Sequence, residues 1–298
     1  MDPECEQLLA HGVDMIQNSL YAEALRCFVL ATERFPDVAD TWFEAAEMFL
    51  WFDRFDEASR YLDRALQADP DHEGAWSHRA GLWRRADDLP RAEACYRKAV
   101  DIAPDFCPAW HGLADLLAAN DRPAEAAEGF SRIIEIEPDP AAAFKGRADA
   151  YATMGRLEEA LGDYEAALEI DPGYVEALLG RANVAAGQDN WQQALRDTEE
   201  ALRHRPEHAG ALVARGKARA ALGDPAKAMR DFRDASRSDP RNPDAYLQAA
   251  VRSCEEGDFD KAWKLCREAA CFGAEMDEDF VRDLERASGR LAKNELGA

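Results

Sequence analysis

Seven prolines, Pro36, Pro70, Pro104, Pro138, Pro172, Pro206 and Pro240, stand 34 residues apart through six consecutive intervals. A fixed period of this length means stacked copies of one supersecondary unit, each too small to bury its apolar face alone. A fold built around one central core is excluded for most of the chain. Its 298 residues read as one array rather than as two globular domains.

Ending each repeat two residues after its proline gives eight: 5–38, 39–72, 73–106, 107–140, 141–174, 175–208, 209–242 and 243–276. The eighth has Ala274 in place of the proline, as suits a terminal repeat. Residues that played no part in setting the register support it. Position twenty is Ala24, Ala58, Ala92, Ala126, Ala160, Ala194, Ala228 and Ala262. Position eight is Gly12, Ala46, Ala80, Ala114, Ala148, Ala182, Gly216 and Ala250. Position twenty-seven is alanine in seven repeats and Ile133 in the other. Large residues fill complementary places: Trp42, Trp76, Trp110, Phe144 and Tyr246 at position four, and Phe28, Tyr96, Phe130, Tyr164 and Phe232 at position twenty-four. Small against large at fixed places is how a close-packed interior avoids both voids and overlap.

Each repeat reads as helix, turn, helix. Apolar residues recur at helical spacing, as in Trp110, Leu113, Ala114 and Leu117. Asp121, Gly155, Asp189, Gly223 and Gly257 mark turns near the middle. Pro90, Pro123 and Pro225 open second helices and Pro108 opens a first helix, a place where the missing N–H costs nothing. The repeated proline lies just past each second helix and stops it.

This pattern resembles the tetratricopeptide repeat family over about 5–276. The resemblance implies an all-α fold, a right-handed α-solenoid of helix–turn–helix repeats. Its first helices would line a concave groove that receives a partner segment. Residues 277–298 place Phe280, Leu284, Ala287 and Leu291 at helical spacing, which predicts a C-terminal capping helix over the last hairpin, weakened in its outer half by Gly289.

The net charge of −23 would repel phosphate backbones and anionic lipid, so neither nucleic acid nor a membrane surface is expected as a partner. No apolar run is long enough to span a bilayer, and the acidic start shows no signal-peptide pattern. Seven cysteines without CxxC pairs fit a reducing, cytoplasmic setting and buried thiols better than a disulfide framework.

Catalytic and metal motifs fail one by one. The stretch from Asp69 to Gly74 begins like a calcium loop, but Ala80 stands where the bidentate glutamate must be. Gly210 to Lys217 is one residue too long for a phosphate loop and has Ala218 where a hydroxyl should follow. Pro206 breaks the helix that would align His204 with His208. His78, His111 and Asp115 lie on neighbouring first helices, where a groove-lining polar role outweighs metal binding. No cofactor and no enzymatic activity are expected. Arg147, Arg181 and Arg215 at position seven occur with Asp163, Asp197 and Asp231 at position twenty-three, which reads as ion pairing within hairpins.

The family's groove-facing positions are two, five, nine, twelve and thirteen of each first helix. They give Phe43, Glu47, Leu50 and Trp51, then Ser77, Arg84 and Arg85, with His78 beside them. His111, Asp115, Lys145, Asp149, Asn183 and Lys217 follow. Phe43 and Trp51 are the expected aromatic anchors. The family's lysine–asparagine clamp for a chain terminus is not matched here beyond Lys145. Its asparagine ladder is absent, with Glu44, His78, Gly112, Gly146, Gly180 and Ala214 at position six. The expected function is a non-catalytic adaptor holding a neutral or basic peptide with apolar anchors. The alternative is a structural subunit that uses its convex face, edges or ends.

Overall fold

The computed structural model describes Asp2 to Leu296, apart from the side chains of Lys293 and Asn294. It is helical throughout, and the helices come in successive pairs. The first four pairs are α1 (Pro3–Gln17) with α2 (Tyr21–Arg34), α3 (Ala39–Trp51) with α4 (Phe55–Ala68), α5 (Glu73–Arg85) with α6 (Leu89–Ile102), and α7 (Cys107–Ala119) with α8 (Pro123–Ile136). The next four are α9 (Ala141–Thr153) with α10 (Leu157–Ile170), α11 (Val175–Gly187) with α12 (Trp191–His204), α13 (Ala209–Ala221) with α14 (Pro225–Ser238), and α15 (Pro243–Glu255) with α16 (Phe259–Cys271). Each hairpin falls within one of the eight predicted repeats, except that α1 starts two residues early. The chain forms two compact bodies, 1–150 and 151–298.

The turn inside every hairpin has one cause. Position fifteen is left-handed in all eight repeats: Ser19, Asp53, Asp87, Asp121, Gly155, Asp189, Gly223 and Gly257 all have positive φ. Glycine meets that demand without strain, and aspartate tolerates it better than bulkier residues. Pro90, Pro123 and Pro225 sit in the first turns of α6, α8 and α14 as expected.

The repeated proline does more than end a helix. The indole N–H groups of Trp42, Trp76 and Trp110 donate to the carbonyls of Pro36, Pro70 and Pro104 at 2.8, 2.8 and 3.0 Å. The Tyr246 hydroxyl does the same to Pro240 at 3.1 Å. In these four hairpins position four thus ties down the loop leaving the hairpin before it.

Position twenty-four supplies the wedge. Phe28 and Phe232 lean on the glycine at position eight of their own hairpins, where a Cβ on Gly12 or Gly216 would lie 2.4 Å from the ring. Tyr96, Phe130 and Tyr164 lean on the next hairpin, against Gly112, Gly146 and Gly180 at position six. Hairpins with alanine at position eight leave no room for the ring at home, and the neighbour's glycine receives it. The alanines at positions twenty and twenty-seven are all buried, as is Ile133.

In the second body, Arg181 grips Asp197 through two bonds of 2.7 and 3.0 Å, and Arg215 grips Asp231 at 2.7 and 3.1 Å. Both aspartates are almost wholly buried. Arg219 also reaches Asp231, at 2.9 Å. In the first body Arg147 donates to Ser131 at 3.0 Å, and Arg79, which lacks an aspartate at position twenty-three, pairs with Asp63 instead.

The predicted cap over 277–298 is shorter than one helix. It consists of α17 (Glu278–Ser288), ended by left-handed Gly289, and a separate turn, α18 (Ala292–Glu295). Leu284 and Phe280 pack on Trp263 and Cys266 of the last hairpin, and the Trp263 indole donates to Ser288 at 3.0 Å. Leu291 lies outside both helices and is exposed, so the expected apolar stripe stops at Gly289. Residues 297–298 of the expected cap lie outside the described residues.

Candidate partner-binding face

The first body gathers an acidic and aromatic cluster on α3 and α5. Phe43 is not an open anchor. Its ring lies 4.6 Å from that of His72 and 5.2 Å from that of His78, and it covers Gly74 so closely that a Cβ there would stand 2.9 Å away. His72 is the N-cap of α5, its Nδ1 accepting from the Ala75 N–H at 3.2 Å, and its Nε2 faces Asp40 at 3.4 Å. His78 Nε2 lies 2.9 Å from Glu47 Oε1.

Charge in this cluster is poorly balanced. Burial pushes the Glu44 carboxyl up to about 7, and the neighbouring charges of Glu47 and Asp40 add to the shift. Glu47 is raised by burial alone. Burial, helped by His72, lowers His78 to about 4, so at neutral pH its ring is uncharged where it meets Glu47. Glu44 meets no cation or hydrogen-bond donor among the described residues.

Trp51 ends α3 and is 61% exposed, its ring stacked on Tyr21 of the preceding hairpin at 4.9 Å. Arg85 occupies the equivalent place one repeat later and lies 3.9 Å over Phe55. Position thirteen therefore turns sideways onto position seventeen of the hairpin before, rather than packing between its own hairpin and the next. Leu50 is half-buried, Ser77 is buried, and Arg84 is exposed.

Further along the same body, His111 Nε2 meets Glu137 at 3.0 Å, and Asp115 is exposed. Lys145 pairs with Asp149 one turn along α9 at 2.6 Å. The remaining two expected residues belong to the second body, where Asn183 is exposed and Lys217 binds Asp244 at 2.8 Å. Phe43, Glu47 and His78 are thus brought together. His72 and Glu44 join them although neither was expected at the site on its own merits. The signal for Glu44 was a carboxylate at position six, where the other repeats place glycine, alanine, His78 or Gln248. His111 stands apart from His78 as a carboxylate partner. No group of three metal-ligating side chains is placed to hold an ion among the described residues, and no helix there is long and apolar enough to cross a membrane.

The second helices of this body show the opposite electrostatics. Arg122 binds Glu93 and Glu125, each at 2.7 Å, and Arg97 bridges the same two carboxylates at 2.9 and 3.0 Å. Carboxylates on that face are neutralised by arginines, whereas those on α3 are not.

Two family models described as tetratricopeptide repeat match the chain, one over 141–174 and the other over 52–105, 179–243 and 213–275. No curated protein matches it by sequence. Among solved structures, a tetratricopeptide repeat protein from Parabacteroides merdae is 16% identical with a TM-score of 0.66, covering 85% of this chain and 99% of its own. YrrB, a TPR protein with an unusual peptide-binding site, is 23% identical with a TM-score of 0.55, covering 62% of this chain and 95% of its own. The Cut9–Hcn1 hetero-tetramer of the APC/C gives 14% and 0.67, covering 94% of this chain and 55% of its own. At these identities the likeness bears on fold alone. The second family model by itself spans just over half of the sequence, and the paired helices follow the same repeat: the chain belongs to the tetratricopeptide repeat family.

Proposed function

We propose that the chain is a non-catalytic adaptor whose first-helix face, centred on α3 and α5, binds a partner protein segment carrying a cation beside a bulky apolar residue. The observation that carries this reading is the pair Glu44 and Glu47, half-buried and raised in pKa with no cation to balance them, on the helix that ends in exposed Trp51. A lysine or arginine from a partner would supply the missing charge, and Trp51 would supply apolar area next to it. YrrB, a TPR protein with an unusual peptide-binding site, is consistent with such a role in this family. Phe43 serves by holding His72 and His78 in place rather than by meeting the partner.

The test is capture of partners from the native lysate by the parent and by a Glu44→Lys, Glu47→Lys, Trp51→Ala variant shown to be folded by circular dichroism. A partner retained by the parent and lost by the variant supports the reading. A partner held equally by both refutes it and favours a structural subunit that uses another surface, as suits a family with members in assemblies such as Cut9–Hcn1.

A further inference from the structure

A second feature of the first body borders that face, on the side of α5 that meets α4. Between α4 and α5 is a cleft of 360 Å³, walled by Phe55, Leu82 and Trp83 and bordered by Arg79, Arg85 and Asp56. Two guanidinium groups already stack on its aromatic walls, Arg85 at 3.9 Å from the centre of Phe55 and Arg91 at 4.6 Å from that of Trp83. Arg79 is paired with Asp63, and Arg91 with Asp88 at 3.4 Å. Arg85 meets no carboxylate among the described residues. In a chain with 59 acidic residues against 36 basic ones, Arg85 thus keeps a guanidinium without a carboxylate beside an apolar cleft.

We infer that this cleft binds a small monocarboxylate with a planar aromatic body, the ring lying among Phe55, Leu82 and Trp83 and the carboxylate accepting from the Arg85 guanidinium. Three features choose the ligand. The volume is at the lower end of the roughly 300–1,000 Å³ typical of ligand pockets, which suits one or two rings. Arginine stacked on an aromatic wall keeps its N–H fork directed outward for a planar carboxylate. Asp56 on the same rim disfavours a dianion such as a phosphomonoester.

The probes are phenylacetate, phenethylamine and phenyl phosphate, titrated into the full chain at neutral pH and followed by amide NMR. Phenylacetate should shift the amides of Phe55, Leu82 and Trp83 saturably, and phenethylamine should not. Arg85→Gln, at an exposed position, should weaken phenylacetate binding by roughly tenfold or more. Arg84→Gln, its exposed neighbour, should leave it unchanged. Absence of saturable shifts, equal affinity in Arg85→Gln, or tighter binding of phenyl phosphate would each overturn the assignment. None of these results depends on whether α3 binds a protein partner.

Discussion

Glu44 illustrates how one side chain can sit against the stability of the fold. Its pKa rises from 4.5 to about 7 in the folded chain, so the folded state holds the proton more tightly than the unfolded state. Stability contributed by that proton is fully present below the unfolded value and is lost as pH rises from about 4.5 through about 7. His78 acts in the other sense. Its pKa falls from 6.5 to about 4, so its contribution is lost as pH drops through that interval. The two slopes oppose each other in mild acid and only the Glu44 term persists toward neutrality. Glu44→Gln should therefore gain stability over the parent between about pH 5 and about pH 8, by on the order of 1 kcal/mol since the group is only half-buried. Urea denaturation at several pH values reads this difference, and a constant difference across that range would show that Glu44 is not perturbed. The glycines at position six make a second prediction. A Cβ on Gly112 would lie 2.3 Å from the Tyr96 ring, so Gly112→Ala should cost about 1–3 kcal/mol, whereas Gly162→Ala, with open space around it, should not.

Within the hairpin, the ion pair between positions seven and twenty-three can be tested by its redundancy. Asp231 has Arg219 as well as Arg215, while Asp197 has Arg181 and only the neutral amide of Gln193 at 2.9 Å. Removing Arg181 strands a buried carboxylate, a loss of about 3–5 kcal/mol, and Arg215→Ala should cost less because Arg219 stays. Thermal melts of the two variants that rank them the other way would contradict this. These pairs were legible in the sequence because arginine and aspartate vary together from repeat to repeat. The sideways packing of position thirteen was not. Trp51 and Arg85 are 34 residues apart, as are Tyr21 and Phe55, yet only the geometry shows that the end of a first helix reaches the start of the preceding second helix. Likewise Phe43 looked like an anchor because its helix position is open in the family. Of the two histidines that close over it, His72 is the last residue of the same repeat and His78 belongs to the next, so the helix position alone gives no warning.

Across the whole molecule, the proline period runs in step with the left-handed turn at position fifteen, which all eight repeats share. What repeats was readable, and what differs between repeats decides the function. The later repeats put Ala185, Arg219 and Ser253 where a bulky aromatic is usual, and Thr198 and Cys266 at position twenty-four. They bury less side-chain area there, so amides of 175–276 should exchange before those of 39–140. Hydrogen exchange with 39–140 less protected would refute that ordering. The central claim, that the α3 face rather than the second helices receives the partner, is best read by site-specific photocrosslinking in the native cell. A photoreactive residue at Glu47 should give an adduct with a partner protein, and one at Arg97 should give none. An adduct at Arg97 with none at Glu47 would contradict the claim and assign binding to the second-helix surface.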